Sequence, residues 1–298
     1  MGVTTVVFPL SESVQELLGV NSHDITMQSQ SLSINLATTI ESSQIIWQSK
    51  ACCGHAVVRC STDIVAKIVP NLEDYTEYTS VQYLAQHTPQ IPIPKPLGLV
   101  VSNTTSYIFI SFVPGITVDR IWSKLSKQHK VFISNQLNDA LLKLRQLKVP
   151  DRIPLGGVCG EGCKDTRRHT RICQETIRTC AEFEDFKFSN PHFGSSEYIA
   201  LLRSLSQSHT ATVLFSHGDL RPENVVVQPD PHGNYFLTGI LDWEKSGFYP
   251  DYFECTKATS NMSSSDTDDW YVYLPTCASP TAYPLQWLVD RIWDIHVA

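Results

Sequence analysis

The sequence predicts an α+β fold: a β-rich first half with one helix, a hinge, and a mainly helical second half that carries a small β-hairpin. Three observations carry this. Residues 56–69 alternate and favour β-branched side chains, apolar residues recur at helical spacing over 137–147, 198–205 and 285–292, and short β runs flank the turn at 229–234.

The elements follow in order. Residues 1–50 are rich in Ser, Thr and Gln, which predicts a short helix over 11–18 and an irregular approach to the first sheet. Ala56-Val57-Val58-Arg59 and Asp63 to Val69 make two strands that turn near Ser61-Thr62. Tyr75, Tyr78, Val81, Leu84 and Ala85 then keep helical spacing until Pro89 stops them. Ile91-Pro92-Ile93-Pro94-Lys95-Pro96 is extended, because each proline pushes its predecessor out of the helical region. Strands over 97–101 and 106–112 end at Pro114-Gly115, the expected hinge between an N-lobe of residues 1–114 and a C-lobe of residues 115–298. Leu137, Ala140, Leu141, Leu144 and Leu147 form an apolar stripe that Ser134 is placed to cap. Tyr198, Leu201, Leu202 and Leu205 repeat it, as do Leu285, Leu288, Val289 and Ile292. Between these helices lie β runs at 212–215, 225–227 and 235–241, the last two joined by Pro229-Asp230-Pro231-His232-Gly233-Asn234.

Composition narrows the function. With 298 residues, the chain holds two modest lobes, each with a core. Its 23 Lys and Arg against 30 Asp and Glu give a net charge of -7, which speaks against an electrostatically driven nucleic-acid binder. No run approaches the ~20 apolar residues of a membrane helix. Nine cysteines, an odd number, without a visible signal peptide point to reduced thiols in the cytoplasm. The oligomeric state is not encoded in any of these features.

The most specific pattern is Ser216-His217-Gly218-Asp219-Leu220-Arg221-Pro222-Glu223-Asn224 followed by Val225-Val226-Val227, and then Gly239-Ile240-Leu241-Asp242-Trp243-Glu244. A hairpin brings Asp219, Asn224 and Asp242 together at strand ends. Two carboxylates and an amide supply hard oxygen ligands for Mg²⁺, with one carboxylate left to orient a hydroxyl. Phosphoryl transfer needs those parts, because its loose transition state is stabilised by positioning and by cations on the phosphate oxygens.

These residues resemble the aminoglycoside phosphotransferase (kinase-like) superfamily, and most closely its fungal phosphotransferase-enzyme branch. The sharpest blocks are residues 215–227 and 238–254, supported by 64–68, 85–98, Phe112-Val113-Pro114-Gly115 with Trp122, and 137–147. The resemblance implies a protein-kinase-like bilobal fold and an ATP- and Mg²⁺-dependent small-molecule kinase whose acceptor is a hydroxyl. It implies that Asp219 is the catalytic aspartate, that Asn224 and Asp242 hold Mg²⁺, and that Lys67 contacts the nucleotide phosphates. Glu77 is then placed to pair with Lys67, with Glu73 as a rival, and Gly54 is the one glycine of Ala51-Cys52-Cys53-Gly54-His55-Ala56 able to approach the phosphates. His217 is expected to pack under the loop and bond its backbone. Gly218 replaces the arginine with which protein kinases grip a phosphorylated activation loop, and no Ala-Pro-Glu follows Asp242, which favours a small-molecule acceptor over a protein. The glycine-poor loop sustains a second reading, a kinase-like protein that binds nucleotide or a partner without catalysis.

Three other constellations compete. Cys159, Cys163, His169 and Cys173 superficially resemble a metal knuckle but match no usual zinc spacing. Residues 164–171 form a local basic cluster, and Asp266, Asp268 and Asp269 could receive a cationic amine.

Overall fold

The computed structural model describes residues 4–21, 30–50, 54–72, 74–150, 153–166, 170–173, 175–206 and 211–296. The first part runs β1 (Thr4–Phe8), α1 (Glu12–Leu18), α2 (Gln30–Ser42), β2 (Gln44–Gln48), β3 (Ala56–Arg59), β4 (Ile64–Pro70), α3 (Thr76–His87), β5 (Pro96–Ser102) and β6 (Thr105–Ser111). Its strands form one antiparallel sheet in the order β1-β5-β6-β4-β3-β2.

Strand alternation assigns the two faces. Ala66 pairs with Phe109 and points to the side where Val14 and Leu18 of α1 and Leu32 and Leu36 of α2 pack. The next pair, Lys67 with Ile108, points the other way, and there Ile108 packs with Leu99, Val69 and Tyr78 of α3. Lys67 thus sits on the α3 face because the strand period is two. Helix α1 is capped by Ser11, whose side chain accepts from the Val14 N–H, and ends at Gly19 in the left-handed region.

The expected irregular approach over residues 1–50 is corrected, because β1, α2 and β2 lie there beside the expected helix. Helix α2 buries only Leu32 and Leu36, and β2 is an exposed edge strand throughout, so neither carries a continuous apolar face for periodicity to detect.

The chain continues through β7 (Ile116–Thr117), α4 (Lys127–Leu144), β8 (Lys164–Thr166), β9 (Thr170–Ile172), α5 (Cys180–Lys187), α6 (Ser196–Ser206), β10 (Val213–Ser216), β11 (Val225–Pro229), β12 (Tyr235–Ile240), β13 (Gly247–Pro250), α7 (Phe253–Ala258) and α8 (Pro284–His296). Leu137, Leu141 and Leu144 of α4 pack against Phe215, Val227, Ile240, Trp243 and Phe248 in the largest core cluster. Residues 114–117 run along β11: β7 pairs with it, and Thr238 Oγ1 donates to the Pro114 carbonyl at 2.9 Å.

One expectation changes here. Ser134 does not cap α4; the helix begins at Lys127 and is capped by Ser126, whose hydroxyl accepts from the His129 N–H. Its first turns escape the apolar pattern because they bury Lys130, a long polar chain in place of a hydrocarbon. Strand β10 pairs with β13, a strand that the sequence reading missed, and β11 and β12 form the expected hairpin. The segment around Gly156 is seated on β13 by backbone and side chains together: the Gly156 and Phe248 amides exchange two hydrogen bonds of 2.8 Å, a Cβ on Gly247 would lie 2.1 Å from the Gly156 carbonyl oxygen, and Leu155, Cys163 and Ile177 cluster with Tyr249. Among the described residues no helix is long and apolar enough to cross a membrane.

Candidate active site

The site is built where the α3 face of the sheet meets the loop after β10 and the segment after β12. Lys67 Nζ lies 2.7 Å from Glu77 Oε2, in the first turn of α3, 2.6 Å from Asp242 Oδ1 and 3.1 Å from Glu244 Oε2. Burial works against the charge on Lys67, but Asp242, Glu77 and Glu244 together outweigh it and hold its ammonium well above the usual lysine range. Burial pushes the Glu77 carboxyl up to about 7; Lys67 opposes this, and Asp242 and Glu244 add to it. Asp242 is also opposed by burial, yet Lys67 and Lys245 keep it below its ordinary value. Its backbone is held at φ 66, a conformation that non-glycine residues seldom adopt. Glu73 lies outside the described residues.

The loop from 217 to 224 is fixed by hydrogen bonds at both ends. Asn224 Nδ2 donates to the Asp219 carbonyl at 2.9 Å, and the Leu241 amide donates to the Asn224 carbonyl at 2.8 Å. His217 is buried: its Nδ1 accepts from the Asp219 amide at 3.1 Å, which leaves the ring proton on Nε2 to donate to the Leu241 carbonyl at 2.8 Å. The ring makes a T-shaped contact with Trp243, with the centroids 4.5 Å apart. Beneath the loop, Glu254 Oε2 accepts from the backbone N–H groups of His217 and Gly218 at 2.5 and 3.2 Å. Gly218 sits at φ 79, and a Cβ there would stand 2.5 Å from the Lys245 carbonyl oxygen. Any side chain at this position collides with backbone, which accounts physically for glycine where protein kinases carry arginine.

Asp219 itself is buried, and its Oδ2 faces two cations, Arg221 at 3.2 Å and Lys245 at 3.3 Å. Asp219, Asn224 and Asp242 are therefore tied into one hydrogen-bonded unit, and Asp242 carries it to Lys67 and Glu77. Gly54 is not a member of this network. It lies on the exposed β2–β3 turn, closed by the Ser49 amide on the His55 carbonyl, beside Pro70. Ala51, Cys52 and Cys53 fall outside the described residues.

The donor chemistry fits a hard divalent cation. Glu77, Asp242 and Glu244 each offer a carboxylate oxygen, all within 4.8 Å of one another. The Nδ2 of Asn224 is engaged by Asp219, which leaves its Oδ1 as an additional oxygen donor. Sequence reasoning missed Glu244, Lys245, Arg221 and Glu254. For Glu244, Lys245 and Arg221 the one signal was their closeness in sequence to Asp242 and Asp219; Glu254 had none.

Among the described residues, several members of the competing constellations are engaged in structural ties, while Arg167 and Arg168 of the basic stretch fall outside that set. Asp269 Oδ1 accepts from Lys130 Nζ at 2.6 Å and Trp122 Nε1 at 2.9 Å, which already pairs its charge with a lysine. Asp266 and Asp268 accept from the backbone amides of Ser263 and Trp270. Lys164, from the basic stretch, bonds Asp74 at 2.9 Å and the Glu244 carbonyl at 2.6 Å. Cys163 is buried while Cys159 is exposed, and His169 lies outside the described residues.

Comparison with known proteins gives a family and a fold. The sequence model of a family described as "Phosphotransferase enzyme family" matches residues 69–274. No functionally curated protein matches the chain in sequence. Among solved structures, a thermostable mutant of aminoglycoside phosphotransferase APH(4)-Ia, in ternary complex with AMP-PNP and hygromycin B, is similar at a TM-score of 0.55 and 14% identity, over 95% of this chain and 87% of that one. The streptomycin-ATP-APH(2")-IIa ternary complex is similar at 0.53 and 13%, over 89% and 90%. A putative fructosamine-3-kinase from Haemophilus somnus is similar at 0.50 and 14%, over 87% and 86%. At these identities the likeness shows the fold, which is the bilobal kinase-like one.

Proposed function

The chain belongs to the phosphotransferase enzyme family, and from that premise we propose that it transfers the γ-phosphoryl group of ATP, with Mg²⁺, to a hydroxyl of a small molecule. The observation that carries this is the convergence of Lys67, Glu77 and Asp242 in one ion network beside the Asp219–Asn224 loop. Residues 1–114 form the nucleotide-binding lobe and 115–298 the catalytic and acceptor-binding lobe. That similar structures hold AMP-PNP and ATP supports a nucleoside triphosphate donor.

In this reading Lys67, kept charged by its carboxylates and held in place by Glu77, binds the α and β phosphates, and the Gly54 amide approaches them from the β2–β3 turn. Asp242 and Asn224 hold Mg²⁺, whose role is to neutralise charge on the phosphate oxygens. Asp219 accepts a hydrogen bond from the acceptor hydroxyl and takes its proton. The blocked side-chain space at Gly218 removes the grip on a phosphorylated loop and so supports a small acceptor. The free thiols of the described cysteines fit the cytoplasm.

Incubation of the protein with ATP, Mg²⁺ and a panel of hydroxylated amines, sugars and secondary metabolites tests the proposal. An acceptor gains the mass of one phosphate, and Asp219→Asn lowers that rate by roughly 10²–10⁴-fold without loss of fold. Nucleotide binding without turnover on any acceptor would instead establish the non-catalytic reading.

A further inference from the structure

Resting on the phosphotransferase reading, we infer that Lys245 is a further catalytic residue, whose ammonium contacts the phosphoryl group as it passes to the acceptor hydroxyl. Its Nζ lies 3.3 Å from Asp219 Oδ2, and the side chain is only 17% exposed. Arg221 already stands 3.2 Å from that same oxygen. One cation balances one carboxylate, so the pair leaves a surplus positive charge beside the acceptor position. The opposite holds a short distance away, where Lys67 faces three carboxylates, Glu77, Asp242 and Glu244. The site is therefore polarised, with excess negative charge where a metal would bind and excess positive charge where the phosphoryl group arrives.

Lys245 is also fixed between the two halves. It stands three residues after Asp242 in the chain, and its ammonium faces Asp219. Its backbone is clamped: the Lys245 carbonyl fills the space where Gly218 lacks a Cβ, and the Ser246 amide closes a turn onto the Trp243 carbonyl at 3.1 Å. Segment 242–245 thus sends Asp242 and Glu244 to Lys67 and sends Lys245 to Asp219.

The step balances as follows. With Oδ2 facing both cations, no hydrogen bond among the described residues engages Asp219 Oδ1, which is the oxygen open to the acceptor O–H. The acceptor oxygen bonds to the γ phosphorus, its proton passes to Oδ1, and the bond from the γ phosphorus to the β–γ bridging oxygen breaks, with the electron pair leaving on ADP. Negative charge on the transferring group moves toward the acceptor oxygen, hence toward Lys245. A cation placed there stabilises the transition state more than the bound reactants, which raises turnover and not ground-state affinity.

The test compares the wild-type protein with Lys245→Met and Lys245→Arg, using Mg·ADP alone and Mg·ADP with aluminium fluoride, a mimic of the phosphoryl group in flight. The expected result is Mg·ADP affinity equal within about 2-fold in all three, a gain on adding aluminium fluoride in the wild type, loss of at least ~10-fold of that gain in Lys245→Met, and its recovery in Lys245→Arg. An undiminished gain in Lys245→Met overturns the inference. So does an equal loss of Mg·ADP affinity, which would mark a structural role, or a wild type that gains nothing from aluminium fluoride. A wild type that fails to bind Mg·ADP overturns the donor reading itself, and the inference with it.

Discussion

The Lys67 ammonium and Asp242 Oδ1 are 2.6 Å apart although their residues are 175 positions apart in sequence. This contact joins the sheet to the segment after β12, and it places a cation among three carboxylates whose oxygens would otherwise gather a divalent ion.

Competition between Lys67 and Mg²⁺ follows from that placement. Without nucleotide, about 10 mM Mg²⁺ leaves the melting temperature of the wild-type protein nearly unchanged, whereas Lys67→Met, with its carboxylates uncompensated, is stabilised by several degrees. Differential scanning fluorimetry across a Mg²⁺ series reads this directly, and equal shifts in both proteins would contradict it.

Glu77 makes stability depend on pH in a defined window. Its carboxyl ionises at about 7 in the folded chain against 4.5 as the ordinary value. Between those values the native state retains a proton that the unfolded state has lost, so the stabilisation is complete below pH 4.5 and is lost as pH rises through 7. Asp242, held low, titrates below this window. Glu77→Gln, neutral at every pH, removes the slope, a change on the order of 3 kcal/mol in the stability difference between pH 4.5 and 8. Urea unfolding at both pH values measures it.

Gly218→Ala combines a left-handed backbone with a Cβ 2.5 Å from the Lys245 carbonyl oxygen. We expect a loss of about 2–4 kcal/mol in urea unfolding. A change below about 0.5 kcal/mol would mean that the loop and residue 245 separate freely.

Glu254→Ala strips the acceptor from two buried N–H groups, those of His217 and Gly218. The expected cost is about 3 kcal/mol, with faster hydrogen exchange at both amides, while Glu254→Gln keeps an oxygen there and loses less. Unaltered exchange at these two amides would show that the loop holds itself.

Much of the fold was legible in the sequence, and the reasons are local. Lys67 could be placed on a strand by alternation, and Asp219, Asn224 and Asp242 could be brought together because a hairpin of short range does so. Glu254 and Lys245 could not, since their partners are reached only when α7 and the segment after β12 fold back onto the loop. Ser126 was passed over for Ser134 because the buried Lys130 interrupts the apolar stripe. Strand β13 went unread because Gly247-Phe248-Tyr249-Pro250, buried at every position, has no alternation to show.

The seating of segment 153–177 on β13 has an evolutionary consequence. The backbones of Gly156 and Phe248 make its hydrogen bonds, Gly247 is required to stay small, and Leu155, Cys163 and Ile177 pack with Tyr249. Substitutions at outward positions such as Cys159 and Glu175 can alter the chemistry of this surface without touching the joint, whereas Lys164 and Asp165 are tied to Glu244 and Lys257. A lineage could therefore diversify the outward positions step by step while the buried ties to the catalytic framework stay fixed.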